Sequence, residues 1–138
     1  MSEKFKVELV TPKGVLLDKE VEEIVAPGIM GEFGVLIGHT PMLTFIRPGI
    51  FSYLEDSKFT RLVVGAGFCE VLKDRVTVLV DEAYRADQID AAAAAAEVSA
   101  LDRDLAGINA AEHPDQYEKM TNKLKVARAK VSLTSGAI

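Results

Sequence analysis

Hydrophobic residues alternate with polar ones along the first 85 residues of the chain, and they recur at helical spacing in the remainder. In the first part, short apolar or alternating runs are separated by dense turn signals such as Pro27-Gly28 and Pro48-Gly49. Many short strands with hairpin-length gaps are typical of an antiparallel sheet that closes on itself. We therefore predict an antiparallel β-sandwich, or flattened barrel, over residues 1–85. The predicted strands cover residues 5–10, 15–18, 21–27, 43–47, 49–55, 59–64, 68–72 and 76–83.

Beyond residue 85 the apolar positions predict two helices that pack against each other. Asp87 is expected to cap the first helix, with Asp90 in its first turn, and Gly107 is expected to end it. Pro114 fits the first position of the second helix, and Gly136 is expected to close the tail. Two apolar stripes at spacings of three and four predict an antiparallel helical hairpin over residues 86–138, so the fold class is α+β. The stripes comprise Ala91, Ala94, Val98, Leu101, Leu105 and Ile108 in the first helix, and Tyr117, Met120, Leu124, Ala127 and Val131 in the second.

Composition and charge narrow the function classes. The chain has 138 residues, of which 49% are hydrophobic and 27% charged, and its 16 basic and 21 acidic side chains give a net charge of −5. An acidic balance of this kind argues against a nucleic-acid-binding face. The single cysteine, Cys69, excludes an internal disulfide, and the apolar run around it predicts a buried side chain.

The sequence shows no membrane-crossing or secretory segment. No run of eighteen apolar residues is present, and the N-terminus has neither an apolar signal core nor an Arg/Ser-rich transit region. We therefore expect the protein to act in a cytoplasm-like compartment and to reach a membrane only through a protein partner.

Candidate catalytic and cofactor chemistry is sparse. The glycines at 28, 31, 34 and 38 are spaced somewhat like a phosphate-binding loop. Neither a helix start nor a Lys-Ser/Thr pair follows them, so tight turns are expected instead. His39 and His113 lie in different predicted domains with no metal-ligand spacing around them. No Ser or Cys has a plausible His partner, and we predict a non-catalytic protein with no metal and no cofactor.

Three segments of the predicted sandwich carry a family resemblance: GEFGVLIGHTPMLTFIRPG at 31–49, VGAGFCEV at 64–71 and RVTVLVDEA at 75–83. Together with the helical tail, they make nearly the whole chain resemble the ε subunit of bacterial F-type ATP synthases, a family that includes chloroplast ε and mitochondrial δ. The resemblance implies a non-catalytic central-stalk subunit whose sandwich binds the γ subunit and the c subunits of the rotor ring. It also implies a peripheral position on the cytoplasmic side of the bacterial inner membrane, reached only through the complex.

The segment around His39 is the candidate contact with the rotor ring. Ile37, Met42 and Leu43 place apolar groups around a loop that also holds polar side chains, and loops on a rigid sandwich are common recognition sites. In the ε family, the positions that match Glu32 and His39 face the polar loops of the ring. The candidate ring contacts are Glu32, His39, Thr40 and Met42.

The tail carries a regulatory hypothesis. Residues 85–113 contain two basic and six acidic side chains, a net of −4, whereas residues 114–138 contain five basic and two acidic ones, a net of +3. The five cations either form a solvated face that complements the first helix or bind an acidic partner. In the ε family, the second helix inserts among the α and catalytic β subunits, towards an acidic β segment, and blocks rotation in the hydrolysis direction. The candidate contacts are Lys119, Lys123, Lys125, Arg128 and Lys130.

Two alternatives to an inhibitory tail stay open. An alanine-rich stripe buries little area, which suits an element with two docking positions, but a permanently docked structural lid fits the sequence equally well. A ligand sensor is the other alternative, since several ε members bind ATP on the folded hairpin through an Ile/Leu-Asp-x-x-Arg-Ala motif. Here Ile89 and Asp90 match that motif, but Ala93 stands where the arginine belongs. Any ATP binding is therefore expected to be weak.

Overall fold

The computed structural model describes residues 3–135, in which ten β-strands precede two α-helices. The predicted role of Gly136 falls outside the described residues. Residues 86–88 form a short 3₁₀ turn between the strands and the helices. The strands are β1 (Phe5–Thr11), β2 (Gly14–Val21), β3 (Glu23–Gly28), β4 (Gly31–Val35), β5 (Met42–Ile46), β6 (Gly49–Glu55), β7 (Lys58–Val64), β8 (Gly67–Val71), β9 (Arg75–Val80) and β10 (Ala83–Arg85), and the helices are α1 (Ala91–Ala106) and α2 (Pro114–Ser135).

The strands form one curled sheet in the order β10-β7-β6-β3-β5-β8-β9-β1-β2, with β4 paired to β3. The two edge strands, β10 and β2, lie close to each other. The Arg85 guanidinium of β10 donates a hydrogen bond of 3.1 Å to the Leu16 carbonyl of β2. The α+β class, a β-sandwich followed by two packed helices, is therefore confirmed. One detail differs from an all-antiparallel sheet: β1 and β9 are parallel neighbours.

The core lies between the two layers of the curled sheet. In strands such as β1, β8 and β9 alternate residues point inward, and Leu9, Ile24 and Phe51 are among the largest fully buried side chains. Cys69 is also completely buried, as predicted, and burial raises the pKa of its thiol to about 12. The thiol is therefore neutral at physiological pH and packs as a small apolar side chain.

The side chains that point away from the core form two outer faces. We call the outer side of β10, β7, β6, β3 and β4 the helix-side face, because α2 packs on it. We call the outer side of β5, β8, β9, β1 and β2 the open face. The positions of the candidate functional residues are given relative to these two faces.

The predicted turns and caps are partly wrong. Turns at residues 29–30, between Gly28 and Gly31, and at residues 37–38 confirm the turn prediction there, but Gly34 lies inside strand β4. β10 was not predicted from the pattern as a separate strand. Asp90, not Asp87, caps α1, because the Ala93 N–H donates a hydrogen bond of 3.0 Å to the Asp90 carboxylate. The predicted end of α1 at Gly107 and the predicted start of α2 at Pro114 are confirmed.

Candidate functional site

The candidate ring contacts are not on a single loop. Glu32 is an exposed residue of β4, opposite Pro27 of β3 and close to the tip of the β3–β4 hairpin. His39 and Thr40 lie in the loop that leads into Met42, the first residue of β5. His39 Nδ1 is 2.7 Å from the Thr40 carbonyl oxygen, a hydrogen bond that holds the imidazole close to its own backbone.

Strand pairing places Glu32 and His39 at opposite ends of β5. The tip of the β3–β4 hairpin is next to the last residue of β5, because Gly28 pairs with both Gly31 and Ile46. The His39 loop is instead tied to the turn before β9, since the Gly38 N–H donates to the Lys73 carbonyl at 2.9 Å. Four residue steps of a strand span about 13 Å. The two predicted contacts therefore belong to separate parts of the surface, which corrects the picture of one recognition loop.

Glu32 lines an open cleft of about 650 Å³ between the helix-side face and α2. The same cleft is lined by three cationic side chains, Arg47, Arg61 and Lys125. Within residues 3–135, none of these four charged groups forms a salt bridge. Among the described residues that line this cleft, Glu32 is thus the one acidic side chain, and the other charged side chains are basic. Lys125 lies on the side of α2 that borders the cleft.

The contact between the two helices uses most of the predicted stripes. Leu101, Leu124 and Ala127 form its buried centre. Val98, Leu105 and Met120 are partly buried around them, and Ile108 and Val131 are half-buried. Two predicted members lie elsewhere: Ala91 is exposed, and Tyr117 lines a groove together with Phe45 and Phe68 of the sandwich.

A second apolar face of α2, which the predicted stripe does not include, holds the tail against the sandwich. Val126 and Ala129 are buried there against Val63 of β7, which is itself completely buried. Partly buried neighbours complete the cluster: Ile50, Tyr84, Ile89 and Leu133. The sequence contains the signal for this face, because positions 126, 129 and 133 are spaced three and four apart.

Two of the five tail cations are already engaged in the folded chain. Arg128 forms a salt bridge of 3.0 Å with Asp102 of α1. The Lys130 ammonium lies 4.0 Å from the centre of the Tyr84 ring, a cation–π contact between α2 and the sandwich. The other three, Lys119, Lys123 and Lys125, are exposed.

Tyr84 is fixed in position for that contact. Its hydroxyl donates a hydrogen bond of 2.6 Å to the Glu82 carboxylate. Burial, together with the hydrogen bond to Glu82, raises the pKa of Tyr84 to about 12. The ring is therefore neutral at physiological pH, and its hydroxyl stays a donor.

The residues that match the ATP motif have structural contacts here. Asp90 caps α1 through the Ala93 N–H, and Ile89 packs in the cluster between α2 and the sandwich. Ala93, whose side chain is a methyl group, occupies the position of the motif's arginine. Among the described residues, no three His, Cys, Asp or Glu side chains converge as metal ligands. No helix within residues 3–135 combines the length and apolarity that a membrane span requires.

Comparisons with known proteins agree on one family. A model of the "ATP synthase, Delta/Epsilon chain, beta-sandwich domain" matches residues 4–86. The ATP synthase epsilon chain 2 of Syntrophotalea carbinolica is 41% identical over 133 residues, which cover 96% of this chain and 95% of that protein. The ATP synthase epsilon chain of Geotalea daltonii is 40% identical over 136 residues, 99% of each chain.

The fold is also similar to that of solved chains at low sequence identity. A chain in the cryo-EM structure of the Euglena gracilis mitochondrial ATP synthase superposes with a TM-score of 0.79 at 20% identity, covering 98% of this chain and 82% of that one. A chain in the central stalk and c-ring structure of the Tetrahymena thermophila mitochondrial ATP synthase superposes with a TM-score of 0.55 at 18% identity, covering 99% of this chain and 97% of that one. At such identities the likeness supports the fold alone.

Proposed function

Because the chain belongs to the family of ATP synthase epsilon chains, non-catalytic subunits of that enzyme, we propose that it is a central-stalk subunit that inhibits ATP hydrolysis through α1 and α2. The sandwich, residues 1–85, links the γ subunit to the c subunits of the rotor ring. The helices, residues 86–138, regulate rotation by contact with the α and catalytic β subunits. The complex holds the chain at the cytoplasmic side of the bacterial inner membrane.

The observation that carries the regulatory part is the small seat of α2 on the sandwich. Of the α2 side chains in this cluster, only Val126 and Ala129 are buried, and Leu133 is partly buried. Burial of so few apolar groups contributes on the order of a few kcal/mol. An element held by that amount is docked most of the time and still leaves its seat in a small fraction of molecules. The helix-to-helix contact is separate, so the hairpin can move as a unit.

The tail cations support a role for the detached state. Docking holds the Lys130 ammonium over the Tyr84 ring, so Lys130 is available to an acidic partner only after α2 leaves the sandwich. Lys119 and Lys123 are exposed in the docked state and project from the same helix. While the tail is docked on the sandwich, the rotor turns without inhibition. When the tail is detached, it inhibits rotation in the hydrolysis direction.

Deletion of residues 88–138 tests the proposed function. We expect the truncated chain to remain in the purified ATP synthase and membrane ATPase activity to rise, because the inhibitory helices are gone. Co-purification with γ is the control that separates loss of inhibition from loss of the subunit. Unchanged hydrolysis with the truncated chain still bound would contradict an inhibitory tail and favour a structural one.

Charge reversal tests the acidic partner. Replacing Lys119, Lys123 and Arg128 with Glu should relieve inhibition if these cations bind a carboxylate-rich segment, because like charges then repel. The matched control reverses Lys13 and Lys58, two exposed lysines of the sandwich, and should leave the inhibited rate unchanged. A triple variant that inhibits as well as the original chain would refute this contact.

A further inference from the structure

The cleft of about 650 Å³ between the helix-side face and α2 has the opposite charge to the chain as a whole. The chain carries a net charge of −5. The charged side chains that line the cleft are three cations, Arg47, Arg61 and Lys125, and one acid, Glu32, which leave the lining at a net charge of +2. We call this space the basic cleft.

Three separate elements supply the cations of the basic cleft. Arg47 lies in the turn between β5 and β6, Arg61 is in β7, and Lys125 is on α2. The backbone N–H of Arg47 donates a hydrogen bond of 2.9 Å to the Pro27 carbonyl, which fixes this turn against β3. Arg61 is half-buried and lies two positions before Val63, which is completely buried under α2. The sandwich therefore holds two of the cations in place, and the docked tail supplies the third.

Strand register adds a hydroxyl group to the floor of the basic cleft. Ser52 of β6 is directly opposite Arg61 of β7, and its neighbour on the other side is Val25 of β3. The Ser52 side chain lines the cleft and forms no hydrogen bond within residues 3–135. Since the Cβ atoms of opposite residues are about 5 Å apart, the hydroxyl and the guanidinium can bind the same group. Other parts of the wall are apolar and include Ile50 and Phe59.

The cations of the basic cleft have no anionic partner among the described residues. None of the three forms a salt bridge within residues 3–135. Like charges repel, so Lys125 opposes the docking of α2 beside Arg47 and Arg61 as long as no anion lies between them. An anion in the cleft would remove this repulsion and favour the docked tail.

We infer that the basic cleft binds a phosphate group, which joins α2 to the sandwich and stabilises the docked tail. A guanidinium binds phosphate oxygens through two parallel N–H donors, and a lysine or a serine hydroxyl adds further donors. A phosphate group carries about 1.5 to 2 negative charges near pH 7, which matches the charge of the lining. Its oxygens point in three dimensions, so donors from three elements can reach it together, whereas the two oxygens of a carboxylate lie in one plane.

The basic cleft is separate from the residues that match the ATP motif, because neither Ile89 nor Asp90 lines it. Its volume lies in the range of small-molecule sites and leaves room for more than a phosphate ion. The phosphate can therefore be free inorganic phosphate or part of an ester whose organic group contacts the apolar wall at Ile50 and Phe59.

Titration of the full chain with inorganic phosphate, at an ionic strength held constant with sodium chloride, tests the site. Hydrogen exchange of α2 amides should slow saturably, by about tenfold at ten times the dissociation constant, because the ligand binds the docked state. Sodium chloride alone should give only the gradual effect of screening. A phosphate response that does not saturate, or that chloride reproduces, would overturn the inference.

A parallel titration with phenyl phosphate identifies the source of the phosphate group. Binding at least about tenfold tighter than that of inorganic phosphate would assign the site to an ester, because the ring buries apolar surface against Ile50 and Phe59. Equal affinity would assign the site to free phosphate.

Charge removal on the sandwich tests the two arginines. Arg47→Gln combined with Arg61→Gln should weaken phosphate binding at least about tenfold, because each removes charge-assisted hydrogen bonds. The matched control is Lys58→Gln combined with Arg75→Gln, which removes the same charge from exposed positions outside the cleft. It should change the affinity less than about twofold. Equal losses in the two double variants would show general charge attraction and not a site.

Lys125→Gln tests whether the phosphate joins the tail to the sandwich. The variant should lose most of the phosphate-dependent slowing of α2 exchange, because the donor on α2 is gone. Arg103→Gln is the control, since Arg103 is an exposed cation of α1 outside the cleft, and its response should match that of the original chain. A full response in Lys125→Gln would refute the link between phosphate and docking.

Glu32→Gln should have the opposite effect to the other variants. Removal of the one acid that lines the cleft should tighten phosphate binding by about threefold, since its repulsion is lost. Weaker binding in this variant would contradict an anion site.

These outcomes are independent of the proposed function. A chain that shows no phosphate response can still inhibit hydrolysis through its tail, and the charge-reversal test of that inhibition leaves Lys125 unchanged. Conversely, unchanged hydrolysis after deletion of residues 88–138 would refute the inhibitory tail without affecting the phosphate titrations.

Discussion

Both outer faces of the sandwich carry apolar residues, but only the helix-side face is covered by another part of the chain. On the helix-side face, Ile50, Val63 and Tyr84 pack under α2. On the open face, Phe45 and Phe68 remain exposed. Outer positions of an isolated two-layer sheet are normally polar, so an apolar outer row indicates something that covers it. One row is covered within the chain, and the other is largely exposed. Substitutions on the first should therefore weaken docking of the tail, and substitutions on the second should leave the stability nearly unchanged.

The largest expected difference between the faces comes from one charge placed on each. Val63→Glu puts a carboxylate under α2 at a completely buried position, and we expect it to weaken docking of the tail by about 3 kcal/mol. The loss cannot exceed the docking free energy, because the tail can leave and expose the charge to water. Leu79→Glu on the open face should change the unfolding free energy by less than about 1 kcal/mol.

Hydrogen exchange of α2 amides and urea unfolding measure these two effects separately. In Val63→Glu, exchange of α2 should accelerate while the sandwich retains its own unfolding transition. In Leu79→Glu, both readouts should match the original chain. Equal losses in the two variants would mean that the faces do not differ in the way the structure indicates.

A smaller effect is expected at the cation–π contact between Lys130 and Tyr84. Tyr84→Leu removes the aromatic face and should weaken docking by about 1 kcal/mol, a several-fold increase in α2 amide exchange. Tyr84→Phe keeps the ring and loses only the hydroxyl that donates to Glu82, so it should retain most of the docking. If the two variants exchange equally fast, the hydroxyl rather than the ring carries the contact.

The smallest effect is expected within the hairpin, at the salt bridge between Asp102 and Arg128. Both side chains are at least half exposed, and an exposed pair of this kind contributes less than about 0.5 kcal/mol. Asp102→Asn should therefore shift the thermal midpoint slightly at low salt and not at all at high salt, where the pair is screened. A large, salt-independent shift would show that Asp102 has another role in the hairpin.

The helical tail can be predicted from the sequence more completely than the sandwich. Gly107 and Pro114 identify the adjoining ends of the two helices because capping and first-turn preferences are local chemistry. The start of α1 is harder, since Asp87 and Asp90 are equally good caps by type. Only the folded chain shows that a 3₁₀ turn occupies the residues around Asp87.

Parts of the sandwich depend on pairing that local patterns do not encode. β4 is obscured by Gly31 and Gly34, whose low strand propensity is typical of turns, and only its pairing with β3 makes it a strand. The open-face residues Phe45 and Phe68 are apolar at outward positions, so their strands lose the polar-apolar contrast that alternation provides.

For similar reasons, the sequence predicts the candidate site only in part. Glu32 and His39 are seven positions apart in the sequence, which suggests one loop, but Glu32 lies in strand β4 and His39 lies in the loop that follows it. On α2, the residues that face the sandwich directly adjoin those that face α1. The two contact faces therefore merge into one broad apolar arc when only the sequence is read, and Val126 and Ala129 gain their role only from the position of β7.

The parallel pairing of β1 with β9 also determines the order in which the sandwich can form. β1 is synthesised before the other nine described strands, but one of its two neighbours, β9, is the ninth of these ten. Until β9 has been synthesised, the edge of β1 that pairs with β9 stays unpaired. Contacts so distant in sequence also slow the folding of a domain. An unpaired edge is a template for aggregation while it lasts, so a nascent chain that stalls before residue 75 exposes β1 to other chains.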